Sequence, residues 1–404
     1  MKIIEGGVCA AKGFKASGIH CGIRKNKSKK DLALIVCDKL CAASAVYTTN
    51  LVKGAPIYVT KENLSDGHAQ AVICNSGNAN TCNANGEEIA RKMCALVEKH
   101  TGIKASDVIV ASTGVIGQPM DVTPIGNGME SLVSELNLNG SRAANQAIMT
   151  TDTMEKEVAV EFTAGGKKCS IGGIAKGSGM IHPNMATMLV FLTTDIAITP
   201  EMLQKAVSQD VKTSFNMVSV DGDTSTNDML CVLASGEADN ETVASDGEDF
   251  ASFKAALNKV TTYLCRLIAK DGEGATKLLE CVASGADDYE TAAIVAKSVI
   301  TRSLFKAAMF GADANWGRVL CAIGYSGADV DVKKIGVSFA SQAGSIEVCK
   351  NGEGVDFSEE KAKEILSESE IRILVSLGGG KYSATAWGCD LTYDYVKING
   401  DYRT

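Results

Sequence analysis

Lys176-Gly-Ser-Gly-Met-Ile-His-Pro-Asn-Met-Ala186-Thr187-Met-Leu189 joins a glycine-rich loop to the apolar run Met188-Leu189-Val190-Phe191-Leu192. An unbroken run of that length, closed by Thr193-Thr194-Asp195, predicts a buried strand. Thr187 then stands where a loop enters a sheet. If the chain is cut before Thr187, the new terminus carries an amine and a hydroxyl on one residue, and the amine can act as the base that activates the hydroxyl. A free α-amine titrates near pKa ~8, close to working pH. Ala186 is small enough to let a hydroxyl approach its carbonyl. A glycine-rich loop feeding an ordinary strand accounts for the same residues, and the local sequence alone does not separate the two readings.

Outward from this segment, short strands and helices alternate. Strand-like runs cover Leu32 to Cys37, Gln70 to Cys74 and Val108 to Ala111, and a hairpin is expected from Val158 to Ile174, turning at Gly165-Gly166. Amphipathic helices are expected over Gly86 to Lys99, Met202 to Thr213, Phe250 to Ala269 and Tyr289 to Phe310. Thr199-Pro200-Glu201 is a helix start signal, since threonine caps and proline suits the first turn. Tyr395-Val-Lys-Ile-Asn399 alternates like a strand. The pattern predicts an α/β fold, and 404 residues predict two or more packed lobes.

The net charge of −8 argues against a nucleic-acid surface over most of the protein. The one basic cluster, Arg24-Lys25-Asn26-Lys27-Ser28-Lys29-Lys30, has no interleaved aromatics and precedes a strand-like run, so it reads as a solvated hairpin turn. The 14 cysteines include no Cys-x-x-Cys and sit mostly in apolar runs, which predicts buried, reduced thiols. Met1-Lys-Ile-Ile-Glu-Gly-Gly7 lacks the apolar core of a signal peptide and no stretch approaches a membrane span, so a cytoplasmic protein without membrane contact is expected.

Several chemistries lack their motif. No serine sits in Gly-x-Ser-x-Gly, and neither a Walker A motif nor Gly-x-Gly-x-x-Gly occurs. The four histidines, His20, His68, His100 and His182, have no metal-ligand spacing, so no metal is expected. Asp221-Gly-Asp-Thr-Ser-Thr-Asn-Asp228 has the start of a calcium loop, but Thr226 stands where glycine is needed and Val232 where glutamate is needed. That stretch borders an active site or is structural. Ser112-Thr113-Gly114 follows the Val108 to Ala111 run. A strand end entering a glycine turn leaves N–H groups free, which with a threonine hydroxyl suits an oxyanion hole, although a plain turn fits too. Lys176 can hold a carboxylate near Thr187, although a lysine before Gly-Ser-Gly is commonly solvated.

The Lys176 to Leu189 segment resembles the self-cleavage and nucleophile motif of the ornithine acetyltransferases, the glutamate N-acetyltransferases of arginine biosynthesis. Asn75-Ser-Gly-Asn-Ala-Asn80, Ala111-Ser-Thr-Gly-Val-Ile-Gly117, Met149-Thr-Thr-Asp-Thr153, Asp221 to Asp228, Asp271-Gly-Glu-Gly-Ala-Thr276, Ala312-Asp-Ala-Asn-Trp-Gly-Arg318 and Tyr395 to Thr404 are similar to that family as well, in family order along nearly the whole chain.

The resemblance implies a layered sheet-and-helix α/β fold, cleaved between Ala186 and Thr187 into an α chain (1–186) and a β chain (187–404) that share one active site. It implies Thr187 as nucleophile, Thr113 hydroxyl and Gly114 N–H as oxyanion hole, and Thr150, Lys176, Thr187, Glu273, Asn399 and Thr404 as substrate contacts. The implied reaction moves acetyl from N2-acetylornithine to glutamate through acetyl-Thr187. No cofactor is implied, and acetyl-CoA enters as a co-substrate if the protein is bifunctional. The implied assembly is a heterotetramer of two α and two β chains. A monofunctional transferase is the nearest alternative. The rival is an N-terminal-nucleophile aminopeptidase or amidohydrolase, in which water resolves the acyl-enzyme. His182 is expected to shape the cleavage loop rather than to act in catalysis.

Overall fold

The computed structural model describes residues 1–182 and 188–400. Ala186, Thr187 and Thr404 lie outside the described residues. The strands are β1 (Lys2–Ile4), β2 (Phe14–Ile19), β3 (Leu32–Tyr47), β4 (His68–Asn78), β5 (Val108–Val115), β6 (Lys156–Ala164), β7 (Lys167–Lys176), β8 (Leu189–Thr194), β9 (Val218–Ser219), β10 (Met229–Ala234), β11 (Leu278–Ala286), β12 (Gly336–Ser341), β13 (Gly344–Lys350), β14 (Glu353–Gly354), β15 (Glu370–Ser376) and β16 (Tyr382–Cys389). The α-helices are α1 (Ala55–Asn63), α2 (Gly86–Thr101), α3 (Thr123–Ser134), α4 (Ser141–Ile148), α5 (Pro200–Asp210), α6 (Glu248–Lys270), α7 (Tyr289–Thr301), α8 (Ser303–Phe310), α9 (Trp316–Gly324), α10 (Glu359–Leu366) and α11 (Tyr393–Asn399). One large sheet runs β1-β6-β7-β8-β10-β3-β4-β5, with β2 also paired to β3, and a smaller one runs β14-β13-β12-β15-β11-β16-β9.

The apolar run that announced a buried strand forms β8, in the middle of the large sheet. It is antiparallel to β7 and parallel to β10. Leu189 and Phe191 pack into a core with Ala33 and Ile35 of β3 and with α4, while Val190 and Leu192 face a second core with α5 and α6. The run has no polar position because both faces of this strand are covered. Helix α6 packs on β6 and β7 of the large sheet and on β16 and β11 of the small one, so Phe253, Leu257 and Leu264 belong to a core that both sheets share. A third core sets Leu32, Leu34 and Ile73 against α2 and α3. A cut before Thr187 therefore divides the large sheet rather than separating two lobes: β1 to β7 precede it, and β8 and β10 follow it.

The expected hairpin is β6 and β7, and Gly165 and Gly166 both take positive φ, as a two-residue turn of this kind requires. Thr199 caps α5 by accepting the Met202 N–H at 3.3 Å. The basic cluster lies in the loop joining β2 and β3. Ten of the 14 cysteines are buried and all are free thiols.

Three expectations fail. Tyr289 to Phe310 is not one helix: Arg302 is extended (φ −84°, ψ 119°), so α7 ends and α8 begins there, and the Arg302 guanidinium lies over the Tyr325 ring. Neither glycine nor proline marks that break. Tyr395 to Asn399 is the helix α11, not a strand. Its alternate apolar positions, Val396 and Ile398, stay exposed, and a helical turn instead places Tyr395 and Asn399 on one face. Thr113 and Gly114 do not follow β5 but belong to it, because β4 runs on beside them, pairing Ser76 with Thr113 and Gly77 with Gly114.

Candidate active site

A cleft of about 150 Å³ opens where β5 and β7 end, between them and the loops after β9 and α6. Thr113, Gly114, Thr150, Lys176, Glu273 and Asn399 all line it, so the six expected residues that are described come together. Asp221, Asp223, Ser225, Thr226 and Asn227 line it too, so their loop borders this cleft. The volume lies below the ~300 Å³ typical of sites for drug-sized ligands and suits something of amino-acid size.

The strand ends are held by a network of side-chain amides. At Gly114 (φ +130°) an added Cβ would come within 2.3 Å of the Gly77 carbonyl carbon, so the close approach of β4 and β5 needs glycine there. Ser112 donates to Asn75 Oδ1 at 2.6 Å, and Asn75 Nδ2 donates to the Asn78 carbonyl at 3.0 Å. Asn227, buried, donates from Nδ2 to the carbonyls of Ala79 (2.6 Å) and Ser112 (3.0 Å), and its Oδ1 accepts from Thr81 Oγ1 at 2.6 Å. The residue just before Thr113 is thus pinned from the opposite half of the chain. Sequence reasoning passed over Asn227 as one polar residue in a polar loop.

A second network lies under the cavity floor. Lys156 is fully buried and bridges Asp152, at 2.8 Å, and Asp271. Asp152 accepts the N–H of Thr150 at 2.9 Å and of Gly177 at 2.7 Å. Burial works to raise the Asp152 carboxyl, but Lys156, Lys176 and the Gly177 N–H outweigh it and hold its pKa well below the usual range. Asp271 accepts the Thr153 N–H and hydroxyl.

The opposite wall carries the acid. Glu273 is buried, and its Oε2 accepts from Asn399 Nδ2 at 2.7 Å, while its own N–H donates to the Ser178 carbonyl at 2.9 Å. Thr392 donates to the Gly274 carbonyl at 2.6 Å, and Tyr395 donates to Asp221 Oδ2 at 3.3 Å, so α11 is docked by polar contacts. Asp221 also accepts the N–H of Met180 (2.6 Å) and Ile181 (3.0 Å), which fixes the loop entering the cleavage segment.

His182 does not line the cleft. Its Nδ1 pairs with Ser219 Oγ at 3.0 Å and its carbonyl accepts from Thr224 at 2.8 Å. Burial first, then Lys297 and Arg302, push its pKa down to about 4 against the pull of Asp221, so it is neutral at working pH. Asp228 is buried beside the start of β8, where the N–H of the next residue, Met229, donates to the Met188 carbonyl at 2.8 Å. Burial pushes its carboxyl well above the usual range despite nearby Lys176. Among the described residues no group of acids, histidines and cysteines is arranged to hold a metal, and no helix is long and apolar enough to cross a membrane.

The fold and the cleft define an α/β enzyme whose site pairs a buried lysine and a buried glutamate across a glycine-bearing strand end. The family model for the ArgJ family matches residues 15–404. The chain is 50% identical over 392 residues, 97% of this chain and 96% of the relative, to arginine biosynthesis bifunctional protein ArgJ 1 of Clostridium acetobutylicum. It is 49% identical over 405 residues, 100% of each, to arginine biosynthesis bifunctional protein ArgJ of Caldanaerobacter subterraneus subsp. tengcongensis. A crystal structure of arginine biosynthesis bifunctional protein argJ from Bacillus halodurans is 46% identical, covering 52% of this chain and 96% of that one with a TM-score of 0.49. The chain belongs to the ArgJ family.

Proposed function

We propose that this chain is a glutamate N-acetyltransferase of arginine biosynthesis, moving acetyl from N2-acetylornithine to glutamate through an acetyl-Thr187 intermediate. One observation carries the reading beyond family membership: a cation (Lys176), a carboxylate (Glu273) and an oxyanion-type pair (Thr113 and Gly114) line one cleft of amino-acid size. In this reading the Thr187 hydroxyl first attacks the Ala186 carbonyl, the peptide C–N bond breaks with its proton going to the freed Thr187 amine, and water then opens the resulting ester to give back the Thr187 hydroxyl and leave a carboxylate on Ala186. That amine then takes the hydroxyl proton as Thr187 attacks the acetyl carbonyl. Thr113 hydroxyl and Gly114 N–H hold the oxyanion. The amide C–N bond breaks, ornithine leaves with the proton on its amine, and the glutamate amine resolves the ester.

Lys176 suits the substrate carboxylate and Glu273 its ammonium, with Thr150, Asn399 and Thr404 as further contacts. The steps call for no metal or cofactor. Relatives named bifunctional support a second activity, with acetyl-CoA as acetyl donor to glutamate. We assign residues 1–186 and 187–404 to fragments that stay associated, two of each in a heterotetramer, in the cytoplasm.

The test is to incubate the purified protein with N2-acetylornithine and glutamate, with and without acetyl-CoA, and to identify the products. N-acetylglutamate and ornithine are expected in both, and a third incubation with acetyl-CoA and glutamate but no acetylornithine is expected to give N-acetylglutamate as well. Acetate in place of N-acetylglutamate would mean that water resolves the intermediate, as in the hydrolase reading. Transfer from acetylornithine but not from acetyl-CoA would leave a monofunctional enzyme.

A further inference from the structure

Lys156 opens β6, and its ammonium has lost all contact with water. It stands between two carboxylates that each do something for the cleft. Asp152 accepts the backbone N–H groups of Thr150 and Gly177, so the wall residue Thr150 and the residue after Lys176 hang on one carboxylate. Asp271 accepts from Thr153 and lies two residues before Glu273. The three groups come from the segment before β6, the end of β7 and the turn after α6, and one ammonium joins them.

Stability alone does not call for such a triad. Replacing a buried ion cluster by apolar side chains of similar volume is often neutral or stabilising. Apolar side chains, however, cannot accept the N–H groups of Thr150 and Gly177. Without a cation between them, two buried carboxylates also cannot both stay ionised at this distance.

We propose that Lys156 is a positioning residue of the acetyl-transfer site, setting Thr150, Lys176 and Glu273 in register with one another across the two halves of the chain. The proposal rests on the acetyl-transfer reading above. It predicts an effect on substrate binding well below the temperature at which the protein unfolds, because a misplacement of about 1 Å in a binding constellation costs far more than its stability price suggests.

The experiment compares wild type, Lys156→Met, and Lys156→Met combined with Asp271→Asn, which restores charge balance. Folding is followed by circular dichroism and thermal unfolding, cleavage by intact mass, and transfer by steady-state kinetics per cleaved site. The expected result is a folded protein with KM for N2-acetylornithine raised on the order of tenfold or more and kcat changed much less. A folded variant that stays in one piece also supports the proposal, since the Gly177 anchor leads into the cleavage segment. Folded variants that cleave and keep wild-type KM, with only a lowered Tm, would overturn it, as would failure of both variants to fold, since Lys156 is then structural. Wild-type protein without acetyl transfer would sink the underlying reading itself, which is a different outcome from an active wild type with indifferent variants.

Discussion

The wall of the cleft that carries Thr113 and Gly114 is the end of two paired strands, whereas the wall that carries Glu273 and Asn399 is a loop and a helix without a buried residue. On the first side, strand pairing and the Asn75, Asn78 and Asn227 amides hold the backbone on either side of Thr113 and Gly114. On the second, α11 is held by polar contacts from Thr392, Tyr395 and Asn399 and by an edge-to-face contact of the Tyr393 ring with Phe310, and Tyr393 and Val396 still lie largely in water. Donors that must meet a developing charge gain most from a fixed position, because reorganisation at the moment of reaction is what preorganisation avoids. Groups that admit two amino acids of different length in turn gain from a wall that yields. The strand side reads as the place of chemistry and the helix side as the place of selection.

The comparison can be broken by substitution. The largest effect is expected at the junction that both sides serve: Thr187→Ala should run as one chain on a denaturing gel and transfer no acetyl. A fragment beginning Thr-Met-Leu-Val, sought by N-terminal sequencing of wild type, is its counterpart. Next, Thr113→Ala should lower kcat on the order of a hundredfold with little change in KM. A near-normal kcat would reduce Thr113 to a strand residue. On the helix side the signature should invert. Deleting Asp401 to Thr404, which lie outside the described residues, should leave a folded, cleaved enzyme with strongly raised KM for acetylornithine. Glu273→Gln removes the charge while keeping an oxygen for Asn399, and should raise KM on the order of tenfold with a smaller change in kcat. If Glu273→Gln lowers kcat as Thr113→Ala does, the division of labour between the walls is wrong.

The smallest effect concerns pH. His182 is held neutral, its folded pKa near 4 lying below the ordinary value of 6.5. Between those values the unfolded chain binds the proton and the folded one does not, so stability falls as pH drops from about 6.5 towards 4. His182→Gln should flatten that part of the Tm–pH curve and leave the neutral-pH rate close to wild type. An unchanged slope would assign the acid loss to other groups.

The sequence was readable where one local cause dominates. Met188 to Leu192 is apolar without a break because β8 is covered on both faces, and Gly165-Gly166 turns because two successive positive φ angles exclude most other residues. Thr113, Gly114 and Lys176 were candidates on local chemistry as well, whereas Thr150, Glu273 and Asn399 were reached through motif resemblance alone: nothing in Asp271-Gly-Glu-Gly says that Glu273 is buried. Five alternating residues at Tyr395 fit a strand or a short helix equally, and only the tertiary pull of Asp221 and Glu273 on one helical face decides. The Arg302 break leaves no sequence mark. The Lys156 triad was invisible because its partners stand 4 and 115 positions away, and no periodicity connects them.

The place of β8 has one more consequence. A cut at its upstream edge removes a covalent link but no sheet pairing, so the two pieces remain one folded object while the unfolded state becomes two separate molecules. Refolding is then a second-order encounter instead of a first-order collapse, and must insert the β8–β10 pair of one piece between β7 and β3 of the other. The intact precursor folds as a single chain; the matured enzyme, once denatured and diluted, has no comparable route back. Recovery after denaturation should therefore depend on protein concentration for the cleaved enzyme and not for an uncleavable one, which makes maturation a step that is taken once.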